Sequence, residues 1–174
     1  MPVNAFQRRY FARMLRVPSP RVSEKVPTVE RCGAVCLLCR YGSEADMLQQ
    51  WEWFRNFHSN FQVVLYYEGK PYQGLIFNKL DVHPFAASHF GLFGRVPAEV
   101  VSRLQSQSYD ILVNTIEDMD DRMAMVHRWI RADFKIGRDA SYAYLNDLSL
   151  RMAPGADTQA YLKTVKEYLN TLNG

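Results

Sequence analysis

At 174 residues, with 48% hydrophobic and 22% charged side chains, the chain has room for one domain with a substantial core, and disordered or fibrous classes are excluded. No apolar run approaches the roughly 18–20 residues that span a bilayer. Arg8, Arg9, Arg13 and Arg16 break every apolar stretch near the N-terminus, so no signal segment is expected and the cytoplasm is the expected location. The net charge of +3 divides into +5 over residues 1–25 and −2 over the remainder. Nucleic-acid binding would therefore rest on the N-terminal segment alone and is not expected.

Within residues 3–17, Phe6, Tyr10, Phe11, Met14 and Leu15 recur at helical spacing opposite arginines, which predicts a basic amphipathic helix. The proline-containing run Val17–Pro27 stops it and reads as an extended linker. Residues 1–28 are thus expected to form a helix and linker, and residues 29–174 a single α/β domain. Gly33–Arg40 is nearly all apolar, like a strand covered on both faces. Ser43 is placed to cap a helix over Glu44–Phe57 with an inner stripe of Met47, Leu48, Trp51, Phe54 and His58. Phe61–Tyr67 is a second strand.

Leu75–Leu80 is predicted as a third strand, antiparallel or displaced in the sheet, because the preceding turn is too short for a parallel crossover. Asp81–Val96 reads as an aromatic loop, and Pro97 opens a helix through Gln105. Tyr109–Ile116, an acidic turn, a helix over Arg122–Ala132 and the run Asp133–Gly137 make a strand–helix–strand unit. Ala140–Ala156 is irregular, and a final helix from about Asp157 carries Tyr161, Val165, Tyr168, Leu169 and Leu172 on one side. This alternation predicts a three-layer open sheet of four to five mostly parallel strands, Rossmann-like or flavodoxin-like. Such sheets bind ligands at the carboxyl ends of their strands.

The series Phe90-Gly-Leu-Phe-Gly94, Tyr109-Asp-Ile-Leu-Val-Asn114, Ala132-Asp-Phe-Lys-Ile-Gly137, Asn146-Asp147-Leu148 and Tyr168-Leu-Asn-Thr-Leu-Asn173 resembles an uncharacterised bacterial family, the domain of unknown function 6913. The resemblance covers residues 75–174 and implies a cytoplasmic α/β domain, with no activity or catalytic residues attached. The stretch Tyr109–Gly137 is also similar to the amino-terminal half of heptosyltransferase-like glycosyltransferases. Those enzymes use two facing Rossmann-like halves and this chain has room for one, so that likeness implies architecture alone.

Cys32, Cys36 and Cys39 have the spacing of a radical-enzyme iron–sulfur motif. Their intervening residues read as the strand itself, however, and pleating sends Cys36 and Cys39 to opposite faces. Inert, packed thiols are expected. Asp81, His83 and His89 are the weak candidates for a metal site; no further strong ligand stands near them, so no metal and no cofactor is expected. Glu117, Asp118, Asp120 and Asp121 crowd one strand end, where they could position a ligand or simply cap a helix. Tyr41, Gly42 and Ser43 fall short of any nucleotide-binding pattern. No nucleophile–base pair emerges, and Trp51, Trp53 and Trp129 read as core or interface.

Two functions compete. The first is a protein-binding or self-associating domain without catalysis, working through the N-terminal helix and the Phe85–Phe93 loop. The alternative is a small-molecule binder or enzyme, of nucleotide or sugar-nucleotide type, with Tyr41, Ser43, Asn114, Glu117 and Asp118 lining the strand ends. A further alternative is attachment to a membrane surface through residues 3–17, where an apolar stripe lies beside arginines.

Overall fold

The apolar strands assemble into a single six-stranded sheet in the computed structural model, which describes residues 3–16, 26–68, 82–153 and 155–172. In chain order the helices are α1 (Ala5–Leu15), α2 (Glu44–Phe57), α3 (Ala98–Gln105), α4 (Asp121–Trp129) and α5 (Thr158–Leu172). The strands are β1 (Val35–Arg40), β2 (Phe61–Tyr67), β3 (Val82–Ala86), β4 (Ser108–Asn114), β5 (Arg131–Gly137) and β6 (Leu148–Ser149). Their spatial order is β3-β2-β1-β4-β5-β6, and every neighbouring pair is parallel. This is the order of a doubly wound Rossmann-like sheet.

The two unexpected strands lie at the edges. The predicted strand Leu75–Leu80 lies outside the described residues. Val82–Ala86, expected as loop, instead pairs with β2, with Pro84 opposite Leu65. Proline is tolerated there because an edge strand has one side free of ladder partners. Residues 68–81 separate β2 from β3, which satisfies the dozen or so residues a parallel crossover needs. At the other edge β6 has two residues, too few to show any hydrophobic period. The segment before it, Ala140–Leu145, is a 3-10 stretch.

The helix predicted to run to Ala132 stops at Trp129. Ile130 adopts an extended conformation, and Arg131 and Ala132 pair with Ser108 and Tyr109 of β4. Ladder bonding there outweighs a further half-turn of helix.

The sheet's two faces bury separate cores. Val35, Leu37 and Cys39 of β1 pack with α2 and α5, through Met47, Phe54, Tyr161, Leu162, Val165 and Leu169. Cys36 and Leu38 point the other way, to α1, α3 and α4, through Phe11, Leu15, Leu104, Met123 and Val126. Leu48, Tyr168 and Leu172, expected inside, are exposed, while Phe57 and Leu162 take the buried positions. Burial pushes the Cys32 thiol up to about 11 and the Cys39 thiol up to about 12, and raises Cys36 as well. None is a ready thiolate.

The start of α1 is held by a reciprocal cap: Asn4 accepts from the Gln7 amide at 2.9 Å, and the Asn4 amide donates to Gln7 Oε1 at 3.3 Å. The Gln7 side chain then donates to the Gly91 carbonyl at 2.9 Å, tying α1 to the loop before α3. Gly94 in that loop has φ +80°, and a Cβ there would lie 2.9 Å from the Tyr10 ring. Glycine is required on both counts.

His127 of α4 is wholly buried. Burial first, and the Lys135 charge second, hold its imidazole well below the ordinary 6.5. Unfolded chains therefore take up a proton near that value which folded chains refuse, so stability falls as pH drops through it. Stability is therefore expected to fall between pH 7 and pH 5 through this group. Urea titrations at the two pH values check it: His127→Leu should lose less stability on acidification than the parent chain.

Candidate functional site

In an open sheet the crevice forms where the strand order reverses, because the connections on either side leave toward opposite faces. Here that point lies between β1 and β4. Leu38 pairs with Asn114 and Asn114 with Gly137, so three neighbouring strands finish side by side. The chain leaving β1 enters α2 on one face, and the chain leaving β4 enters α4 on the other.

A cleft of about 390 Å³ opens at this reversal, between Arg40 at the end of β1, residues 115–118 after β4, Arg138 after β5, and the starts of α2 and α5. That volume lies in the range of small-molecule sites. Asp46, Gln49, Gln50 and Trp53 complete the side formed by α2. An adjoining apolar cleft of about 470 Å³ between α2 and α5 shares Trp53 and Asp157 with it.

The wall carrying Glu117 and Asp118 is fixed from beneath. Asn114, fully buried, accepts from the Ile116 amide at 3.0 Å, and its amide meets Met119 Sδ at 2.9 Å. Asp139 accepts from the Met119 amide at 2.6 Å and from the Ser141 amide at 2.7 Å. Thr115 extends the β4 ladder by donating its amide to the Leu38 carbonyl at 2.9 Å. Asp120 then caps α4, accepting from the amides of Arg122 and Met123 at 2.9 Å.

Two arginines brace the cleft. Arg40 donates across it to the Asp118 carbonyl at 2.7 Å. Arg138, with its side chain only 4% exposed, donates to the Ala156 carbonyl at 3.0 Å and pairs with Glu117 at 3.3 Å. Its guanidinium also lies 5.2 Å from the centre of the Tyr161 ring. One side chain thus joins the end of β5, the loop after β4 and the start of α5.

Of the residues singled out from sequence, Glu117 and Asp118 line the cleft. Asn114 lies beneath it, bonded to the loop it shapes. Tyr41 packs toward the α2 and α5 core. Ser43 caps α2, accepting from the Asp46 amide at 3.2 Å and donating to the Asp46 carboxylate at 2.7 Å. Asp81 lies outside the described residues. His83 sits on edge strand β3, and His89 accepts from the Ala86 amide at 3.2 Å. Among the described residues no group of three or more His, Cys, Asp and Glu side chains could hold a metal ion. Likewise, no described helix is long and apolar enough to cross a membrane.

Sequence reasoning missed Arg40, Arg138, Gln49, Gln50 and Trp53. The available signal was positional: Arg40 and Arg138 directly end or follow parallel strands, where a side chain reaches the crevice whatever its type.

A family profile described as a family of unknown function, DUF6913, matches residues 5–172. No curated protein sequence matches the chain. Among solved structures, the E. coli heptosyltransferase WaaC with ADP is similar at 13% identity and a TM-score of 0.50, covering 81% of this chain and 47% of that one. A glycosyl transferase family 9 protein from Veillonella parvula is similar at 13% identity and a TM-score of 0.52, covering 89% of this chain and 42% of its own. The chain therefore spans less than half the length of either structure, and the likeness is one of fold.

These neighbours overturn the expectation of a protein-binding or self-associating domain without catalysis. Both are glycosyltransferases by their descriptions. The aromatic loop expected to serve as an interface also turns part of itself inward: Phe85 and Phe90 are buried, packed on one another, with Phe90 also against Phe11 and Trp129.

Proposed function

This chain belongs to the DUF6913 family, and we propose that it binds a small hydroxyl-rich ligand of nucleotide or sugar-nucleotide type at the carboxyl ends of β1 and β4. The observation that carries the reading is the roughly 390 Å³ polar cleft at the reversal of strand order. Its chemistry supports a sugar. Carboxylates and side-chain amides accept from and donate to hydroxyls, and Glu117, Asp118, Gln49 and Gln50 offer both on two facing walls. Arg40 and Arg138 supply the donors that an anionic group such as a phosphate requires.

The helix starts are not phosphate cradles. Asp120 and Asp157 already occupy the first amides of α4 and α5, and Glu44 and Asp46 stand in the first turn of α2. Recognition in this reading falls to side chains rather than to bare backbone amides. Glu117, Asp118, Arg40 and Arg138 are its contact residues, Asn114 and Asp139 hold their loop, and Tyr41 and Ser43 support α2. The sugar-nucleotide class is further supported by the glycosyltransferase neighbours, one of them with ADP. A cytoplasmic setting fits the three free cysteines.

Calorimetric titration with UDP-, GDP- and ADP-linked sugars tests this. At least one should bind, and Glu117→Gln and Asp118→Asn should each weaken it by roughly 10- to 100-fold, the worth of a hydrogen bond to a charged group. Absence of binding across the panel, or binding that both variants leave unchanged, would remove the proposal.

A further inference from the structure

We propose that the tip formed by the start of α1 and the loop at residues 91–95 docks on the surface of an anionic lipid bilayer. The observation is an apolar cluster that the fold leaves outside. Phe6, Leu92 and Phe93 are 57%, 64% and 57% exposed. They form one feature, because the Phe6 and Phe93 rings meet edge to face at 5.6 Å and the Asn4 side-chain Nδ2 donates to the Leu92 carbonyl at 3.1 Å. The tip is braced from within by the Gln7 bond to Gly91 and by Phe11 against Phe90. Its outward rings and leucine are therefore presented on a fixed support.

The charge carried by the two segments that form the tip is of one sign. Residues 3–16 and 82–97 contain Arg8, Arg9, Arg13, Arg16 and Arg95 and neither aspartate nor glutamate. On α1, Arg9 and Arg13 follow Phe6 by three and seven residues, which sets all three along one side of the helix. All five arginines are exposed. Ion pairs among the described residues use Arg55, Arg138, Lys163 and Lys166 instead.

An anionic bilayer is the occupant that uses both features. Aromatic and aliphatic side chains enter the boundary between headgroups and acyl chains, while arginines meet the phosphates above them. Nucleic acid would engage the arginines but gains little from a protruding leucine. The other face of α1 is already spent on the core through Phe11 and Leu15, so the helix can lie along a membrane without leaving the domain. This inference is independent of the ligand cleft, whose lining shares no residue with the tip.

The test is co-sedimentation of the full chain with phosphatidylcholine vesicles, with and without about one-third phosphatidylglycerol, at low and high salt. Binding is expected to the anionic vesicles alone and to fall steeply as salt rises. Arg9→Glu with Arg13→Glu should abolish it, since each basic residue near such a surface contributes about fivefold to binding. Phe6→Ser with Phe93→Ser should weaken it several-fold while leaving the melting temperature close to the parent value. No binding to anionic vesicles, binding that the double phenylalanine variant leaves unchanged, or tighter binding to a short DNA duplex than to the vesicles would each overturn the proposal.

Discussion

Phe11→Ala is expected to destabilise the protein by about 3–5 kcal/mol, the range for truncating a fully buried phenylalanine. Phe11 has no exposed surface and lies at the centre of the contact between α1 and the rest of the molecule. Its ring meets Tyr10 at 5.8 Å and Phe90 at 5.5 Å, edge to face with interplanar angles of 64° and 89°, an arrangement that adds to the area it buries. Gly94, with φ +80°, packs directly on the same ring: a Cβ there would lie 3.2 Å from it. Equilibrium urea unfolding measures the loss. A cost under about 1 kcal/mol would mean that α1 is a loosely attached arm rather than part of the second core.

Arg138→Ala is expected to cost about 3 kcal/mol and to remove ligand binding at the cleft. Most of that figure comes from the lost hydrogen bond to the Ala156 carbonyl and the lost contact with the Tyr161 ring. The pair with Glu117 contributes less, because Glu117 is more than half exposed and solvent screens it. Lysine should not restore either property, since an ammonium cannot lie flat on a ring while donating sideways to a carbonyl. Thermal unfolding and ligand titration of the alanine and lysine variants check both effects. A lysine variant with parental stability and affinity would show that charge alone matters at this position.

Much of the framework is legible in the sequence, for a definite reason. The bounds of α2 and β2 follow from the Ser43 cap and from an apolar run flanked by polar residues, signals that lie within the elements themselves. The edge strands lacked such signals. Pro84 disguised β3, and β6 is too short to carry a pattern. The reversal of strand order is set by long-range pairing, of β1 with both β2 and β4, which no local window contains.

The cleft was legible in part. Glu117 and Asp118 stood out as a charged cluster at a strand end, and Asn114 as a polar side chain in an apolar strand. Asn114 proves to serve the loop's geometry, holding the Ile116 amide from beneath the cleft. Arg138 gave no comparable signal. A lone arginine after a glycine looks like surface, and it is buried by neighbours distant in sequence, the Tyr161 ring of α5 and the Ala156 carbonyl among them.

The most direct measurement is a map of backbone amide shifts by nuclear magnetic resonance as UDP-glucose and ADP-glucose are added in turn. Shifts from at least one are expected to gather at residues 40–46, 115–118 and 156–158, around the mouth between β1 and β4. Shifts that gather elsewhere on the molecule, or spectra that neither sugar nucleotide alters, would contradict the assignment of this cleft as the binding site.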